Sequence, residues 1–228
     1  MANRFFTQDT LRFLSDLAAN NNREWFAEHR LDYEKAVRSP ALGFIADMAD
    51  TLAAISPHFL AIPKKVGGSL MRVHRDVRFG NDKRPYKTNI GIMFRHESGK
   101  DVHAPGYYVH IEPGECFIGV GIWRPNSAAL GKIRDAIADD GNEWLAASCN
   151  QNFKKTFSFT GESLTNAPRG YPKDHPLVED LKRKDFIALS AISENDVTSP
   201  DLTSQVADKF RRTTPYMQFL CKALELRF

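Results

Sequence analysis

The spacing of apolar residues changes along this chain of 228 residues, and that change constrains the fold class. In the first third, apolar residues recur three or four positions apart, as Leu11, Leu14 and Leu17 do, which is typical of helices packed on a core. After Gly67 the spacing becomes two. Residues 70–79, 89–95, 107–112 and 116–123 alternate apolar and polar side chains, as half-buried strands do. Helical spacing returns at Ser127.

The connections between the last three of these strands are short, which favours an antiparallel meander. We therefore expect an α+β fold with a central, mainly antiparallel sheet and helices at the N- and C-terminal ends. The chain contains no linker-like or repetitive tract, so we expect a single domain over residues 1–228. Its parts would be a helical region at about 7–56, a sheet core at about 70–124 and a mixed region at about 127–226.

Cysteine content and hydropathy indicate the environment of the chain. Cys116, Cys149 and Cys221 are odd in number and form no Cys-x-x-Cys pair, which argues against a disulfide framework and suits a reducing compartment. The first residues lack the apolar stretch of a secretory signal, and no run of eighteen apolar residues occurs. These features predict a cytoplasmic protein without a membrane partner.

Positive charge is concentrated in one short segment, residues 72–87. It holds six cations against Asp76 and Asp82, a balance of 6 − 2 = +4, whereas the whole chain carries +3 and the remainder therefore 3 − 4 = −1. A local cationic cluster is what an anionic ligand requires. A total of +3 is too small to indicate general coating of nucleic acid, so nucleic acid is disfavoured as a partner.

This segment predicts a site for an anionic small molecule. In a strand over residues 70–79, Arg72, His74, Asp76 and Arg78 would share one face, and the loop at residues 80–87 could fold over it. Guanidinium groups match the paired oxygens of phosphate or carboxylate. The predicted ligand-binding residues are Arg72, Arg75, Asp76, Arg78, Asp82, Lys83, Arg84, Tyr86 and Lys87.

An internal ion-pair network is the alternative explanation of the same charges. Asp76 and Asp82 could bridge to Arg78 and Lys83 and so pin the loop to the sheet without any ligand. Arg75 would lie on the apolar side of the proposed strand, where an unpaired charge is costly. The chain would then be a structural or protein-interaction module, with partners that the sequence does not name.

A second set of residues suggests chemistry. His74, His110 and Glu112 are candidate catalytic residues, since two histidines and a carboxylate could converge if the polar faces of two strands coincide. That set would suit a metal-dependent or acid-base hydrolase-like enzyme, although the nearby cations would repel a metal. We assign no metal ligand, and the sequence leaves any cofactor unknown. Gly119 and Gly121 would leave room for a ligand beside their strand. Whether the protein is an enzyme stays open.

The cationic segment also resembles a known family signature. Residues 75–79 read Arg-Asp-Val-Arg-Phe and residues 82–87 read Asp-Lys-Arg-Pro-Tyr-Lys, a pattern similar to that of the domain-of-unknown-function family 2461. Residues 22–26, 106–108, 168–170 and 174–176 fit as well, so the resemblance runs from about Phe6 to about Leu226. It implies one domain and points to the same cluster. It implies no activity, substrate or catalytic residue.

Overall fold

The computed structural model of the protein describes residues 5–78, 81–99 and 104–228. Helices precede the six-stranded sheet, separate its last strands and follow it, and the expectation of an α+β fold is confirmed. The helices are α1 Gln8–Ala19, α2 Arg23–Glu28, α3 Arg30–Tyr33, a π-helical turn Glu34–Arg38, α4 Ser39–Ile55, α5 Ser127–Asp139, α6 Gly141–Ser148, α7 Gln151–Thr156, α8 Val178–Leu181, α9 Glu194–Val197, α10 Leu202–Arg212 and α11 Thr214–Ala223. The strands are β1 Phe59–Leu60, β2 Ile90–His96, β3 Gly106–Ile111, β4 Phe117–Ile122, β5 Ser158–Thr160 and β6 Phe186–Ala191.

The sheet has the order β1-β2-β3-β4-β6-β5, and every neighbouring pair is antiparallel. The predicted meander of β2, β3 and β4 is therefore confirmed. Its register places Gly91 opposite His110 and Tyr108 opposite Gly119. Side chains directly opposite one another project from the same face of a sheet, so this register decides which strand residues can meet.

One face of the sheet forms the core with the helices. Ile92, Phe94, Tyr107 and Val109 are fully buried on this face, and α4 and α11 pack against β2 and β4. Burial of such side chains is the main contribution to folding, at about 1.5–3 kcal/mol for each large apolar side chain.

The opposite face, called the outer face here, carries the alternate residues of the same strands. Its side chains are only partly buried, so this face reaches solvent. Its residues include Gly91 and Met93 of β2, Tyr108 and His110 of β3, Phe117 and Gly119 of β4, and Leu189 of β6.

The predicted strand over residues 70–79 is wrong. The described part of this segment makes two isolated bridges, Leu70 with Ile92 and His74 with Tyr86, while Phe79 and Gly80 lie outside the described residues. Beyond Met71 the chain leaves the edge of β2 and turns back on itself. Arg75 N–H donates to the carbonyl of Pro85, but proline has no N–H to complete the pair, so the ladder stops there.

Among the helices of residues 5–78, 81–99 and 104–228, none combines the length and the apolar composition needed to cross a bilayer.

Candidate functional site

The cationic loop is the segment of residues 72–87, and its described parts, 72–78 and 81–87, pair with each other at the edge of the sheet. At its base Lys87 N–H donates to the carbonyl of Val73 over 2.7 Å, and Arg75 N–H donates to that of Pro85 over 2.9 Å. The segment is continuous with the edge of β2 through the hydrogen bond from Met71 N–H to Gly91. The loop therefore starts from a fixed frame at one side of the sheet.

Tyr86 anchors this loop to the N-terminal helices. The side chain of Asn21, between α1 and α2, accepts from the Tyr86 N–H and donates to its carbonyl, both over 3.0 Å. The Tyr86 ring stacks on Phe26 with centroids 4.1 Å apart and is only 6% exposed. The sequence predicted Tyr86 as a ligand contact, and the fold places its ring in the core.

Most cations of the loop are engaged within the loop itself. Asp82 pairs with both Arg75 and Arg84, and the hydrogen bonds from Arg84 and then Arg75 hold the pKa of Asp82 well below its usual range. Asp76 pairs with Arg78 through two bonds of 2.9 and 2.7 Å, which lowers the pKa of Asp76. Lys83 does not reach Asp82, since its ammonium donates to the carbonyl of Val77.

Arg72 and Lys87 differ from the other loop cations. In the described chain neither has a carboxylate within ion-pair distance. Lys87 is partly buried, and burial together with the nearby charge of Arg72 lowers the pKa of Lys87. The charges of Arg72 and Lys87 thus act on each other, Lys87 has lost part of its hydration, and the nearest influence of a carboxylate is the charge interaction of Arg72 with Asp76, which is not an ion pair.

A chain of hydrogen bonds lies next to the loop at the adjoining ends of β2 and β3. Glu112 accepts from the His110 Nε2–H over 3.1 Å, which leaves Nδ1 as an acceptor for the Tyr108 hydroxyl at 3.1 Å and the Asn89 amide at 3.3 Å. Thr88 donates to the other oxygen of Glu112. Burial raises the pKa of Tyr108 to about 12.

The loop and this hydrogen-bonded chain are neighbours. The charge of Glu112 raises the pKa of Arg84, although the pairing with Asp82 contributes more. On the other side Lys87 and Asn89 line one narrow crevice together with Met71. The cations, an amide, a phenol, an imidazole and a carboxylate therefore share one region of the surface.

The three candidate catalytic residues are placed differently. His110 and Glu112 are in direct contact, as the shared strand predicted. His74 has left that face with the rest of the unformed strand, and its ring contacts Phe26 and Tyr86. In the described ranges, no group of three or more His, Cys, Asp or Glu is arranged to hold a metal ion.

The room expected beside Gly119 and Gly121 is taken up by the chain itself. A Cβ on Gly121 would lie 2.0 Å from the carbonyl oxygen of Phe186, and its φ of +107° is one that other residues rarely adopt. A Cβ on Gly119 would lie 3.1 Å from Leu189. These glycines allow close packing of neighbouring strands.

Sequence reasoning missed the residues that hold the site in place. Asn21 lies in an Asn-Asn-Asn stretch that signals a break between helices, but nothing local shows that its side chain reaches residue 86. It also missed a cleft of about 500 Å³ beside α1, whose wall includes Trp25 stacked on His29 with centroids 4.2 Å apart. Residues four positions apart meet on one face of a helix, so the spacing of Trp25 and His29 by itself indicates only helix packing.

Comparison with known proteins gives a family and no function. No curated protein and no solved structure matches the chain. The family model described as a conserved hypothetical protein (DUF2461) matches residues 9–219, which include the whole cationic loop and the strands beside it. With nearly its full length covered, the chain belongs to the DUF2461 family of conserved hypothetical proteins.

Proposed function

We propose that the protein binds an anionic small molecule, bearing phosphate or carboxylate groups, through Arg72 and Lys87. The observation that carries this proposal is that Arg72 and Lys87, whose charges act on each other, form no ion pair within the described residues, whereas the other cations of the loop are engaged. An unpaired, partly buried ammonium beside a guanidinium is unfavourable in the free protein. An anion placed between the two would remove that cost and accept charge-assisted hydrogen bonds from both.

The other cations of the loop have a structural part in this proposal. Arg75 and Arg84 hold Asp82, and Arg78 holds Asp76, so the loop is braced before any ligand arrives. Bracing reduces the conformational entropy that a ligand would otherwise have to overcome. The proposed contacts, Arg72 and Lys87, are therefore fewer than the ligand-binding residues that the sequence predicted.

A structural or protein-interaction module is the second candidate function. The double pairing of Asp82 and the bidentate pairing of Asp76 favour it, because both are internal to the loop and pair five charged side chains with one another without a ligand. Under this alternative Arg72 and Lys87 are solvated surface cations with no specific partner. An acid-base enzyme is compatible with the first proposal, and His110 and Glu112 would then move the proton.

Calorimetric titration separates the two functions. We would titrate inorganic phosphate, pyrophosphate and citrate at fixed ionic strength into the wild type, Lys87→Met and Lys155→Met. Lys155 is an exposed lysine outside the loop and serves as the matched loss of one charge. A hydrogen bond to a charged group contributes about 1.5–3 kcal/mol, so Lys87→Met should weaken binding roughly tenfold or more, while Lys155→Met should not.

Two results would contradict anion binding at this site. One is the absence of heat with every anion in the wild type, which would favour the structural module. The other is equal weakening in the two lysine variants, which would mean that net charge alone attracts the anion.

A further inference from the structure

Two glycines on the outer face of the sheet, Gly91 and Gly106, let neighbouring side chains lie over their strands beside the cationic loop. A Cβ on Gly91 would lie 2.8 Å from the Tyr108 hydroxyl oxygen and 2.9 Å from the Met71 sulfur, and one on Gly106 would lie 2.6 Å from the Met93 methyl carbon. The missing side chains thus make room for their neighbours. Tyr108, Met71 and Met93 lie across the strands, where strand side chains usually stand perpendicular to the sheet.

The resulting surface, called the platform here, is apolar and aromatic. A sheet face turned to solvent normally carries polar side chains, yet this one is only partly buried and Met71 is 37% exposed. The platform consists of Met71, Met93, Tyr108, Phe117 and Leu189.

Flat rings already pack against the platform within the protein. The His110 ring lies parallel to the Phe117 ring, with an interplanar angle of 7° and centroids 4.5 Å apart. Within the platform, the ring of Tyr108 lies 6.0 Å from that of Phe117. Aromatic faces of this kind stack readily on any planar π-system.

The platform and the unpaired cations adjoin one another. Met71 belongs to the platform and also lines the crevice that Lys87 and Asn89 share. The Asn89 amide contacts His110, whose ring lies on Phe117. A ligand whose anionic group binds Lys87 would therefore lie next to Met71, at the edge of the platform.

We propose that the anion of this site is a mononucleotide, whose base stacks on the platform while its phosphate contacts Arg72 and Lys87. This inference rests on the proposed function and names its ligand class. A single-stranded polynucleotide fits less well, since it needs a row of phosphate contacts. The other loop cations are engaged internally, and the chain outside the loop carries a formal charge of −1.

Ligand truncation tests the inference on the unmodified protein. The wild type would be titrated with AMP, GMP, CMP and UMP, and then with ribose 5-phosphate, inorganic phosphate and adenosine. The best nucleotide should bind roughly tenfold tighter or more than ribose 5-phosphate, because stacking of one base contributes about that factor at least. Adenosine, without the phosphate, should bind weakly.

The outcomes distinguish this inference from the function on which it rests. Equal affinity for ribose 5-phosphate and every nucleotide would overturn the nucleotide and leave anion binding intact. Binding of none of the phosphates would overturn both. Binding of a single-stranded decanucleotide, with no response to any mononucleotide, would overturn the choice of a mononucleotide.

A variant of the platform gives an independent result. Phe117→Leu keeps an apolar strand residue and removes the ring, so it should weaken the best nucleotide roughly tenfold and leave ribose 5-phosphate unchanged. Trp123→Leu removes an aromatic residue that is 66% exposed and lies outside the platform, and it should change neither affinity. Unchanged nucleotide affinity in folded Phe117→Leu would overturn stacking at this face. If that variant does not fold, the truncation series on the wild type decides.

Discussion

Single residues of one charge type have different roles in this protein, and their partners decide which. Arg84 and Arg75 are bound to one carboxylate, whereas Lys87 is partly buried, feels the charge of Arg72 and forms no ion pair within the part of the chain that the structure describes. An ammonium in that position is held in its charged form less strongly than an ordinary lysine. Protonation of Lys87 should therefore be linked to ligand binding.

We predict that citrate affinity falls with rising pH earlier than an ordinary lysine would allow. Burial and Arg72 lower the pKa of Lys87 from the usual 10.5, and the anion binds the protonated form. Affinity should be full below the folded-state pKa and decline as the pH rises through it, within a window below 10.5. Calorimetry from pH 7 upward measures this, because citrate keeps a constant charge there. A flat wild-type profile up to pH 10.5 would contradict the assignment, and Lys155→Met should reproduce the wild-type decline.

The location of the charge was predictable from the sequence, but its pairing was not. Counting charges identified residues 72–87, because the net charge of a segment depends only on the residues within it. The partner of Asp82 depends on how the loop turns, and the turn brings Arg75 and Arg84 to it while Lys83 reaches a backbone carbonyl. The sequence alone does not show which of these three cations pairs with Asp82.

At the scale of elements, alternation predicted three strands correctly and failed for a fourth. Residues 89–95, 107–112 and 116–123 correspond to β2, β3 and β4 with small shifts at their ends. Residues 70–79 alternate equally well, but alternation encodes which face is buried and not which strand is the partner. With Pro85 opposite Arg75, this segment forms a hairpin loop that carries the site.

Strand β2 depends on a glycine to shape the candidate site. We predict that Gly91→Ala destabilises the protein by about 1–3 kcal/mol, because its Cβ would displace the Tyr108 hydroxyl that donates to His110. Gly131→Ala in α5 is the matched control. Its Cβ would meet open space, so it should stabilise the protein by about 0.5–1 kcal/mol. Urea unfolding measures both, and stabilisation by Gly91→Ala would contradict the close contact at this strand.

For the molecule as a whole, the site depends on contact between the N-terminal helices and the sheet edge. Asn21 makes that contact by satisfying both backbone groups of Tyr86, next to Lys87. The spacing of apolar residues predicts helices and strands, but it does not show which side chain joins one to the other. The contact between Asn21 and Tyr86 could therefore not be predicted from the sequence. The α+β class follows from patterns within segments, while the junction depends on residues 65 positions apart.

We predict that Asn21→Ala lowers the free energy of unfolding by about 1–3 kcal/mol, because two part-buried backbone groups lose their partners. It should also weaken citrate binding, since the base of the loop would be less well fixed. Asn20→Ala is the control, because Asn20 is exposed and its side chain bonds only to the carbonyl of Asp16 in α1. Its effect should stay within about 0.5 kcal/mol. Equal effects of the two substitutions on citrate affinity would contradict a role for the junction.

The link between Asn21 and Tyr86 also has a consequence for the order of folding. A contact that closes 65 residues of chain is costly in entropy, so it is expected to form after the local helices and the β2–β3 hairpin. The proposed binding residues Arg72 and Lys87 are then brought into place only in the last steps, and partly folded molecules should have no affinity for the ligand. An anion should accordingly slow unfolding and leave the folding rate almost unchanged.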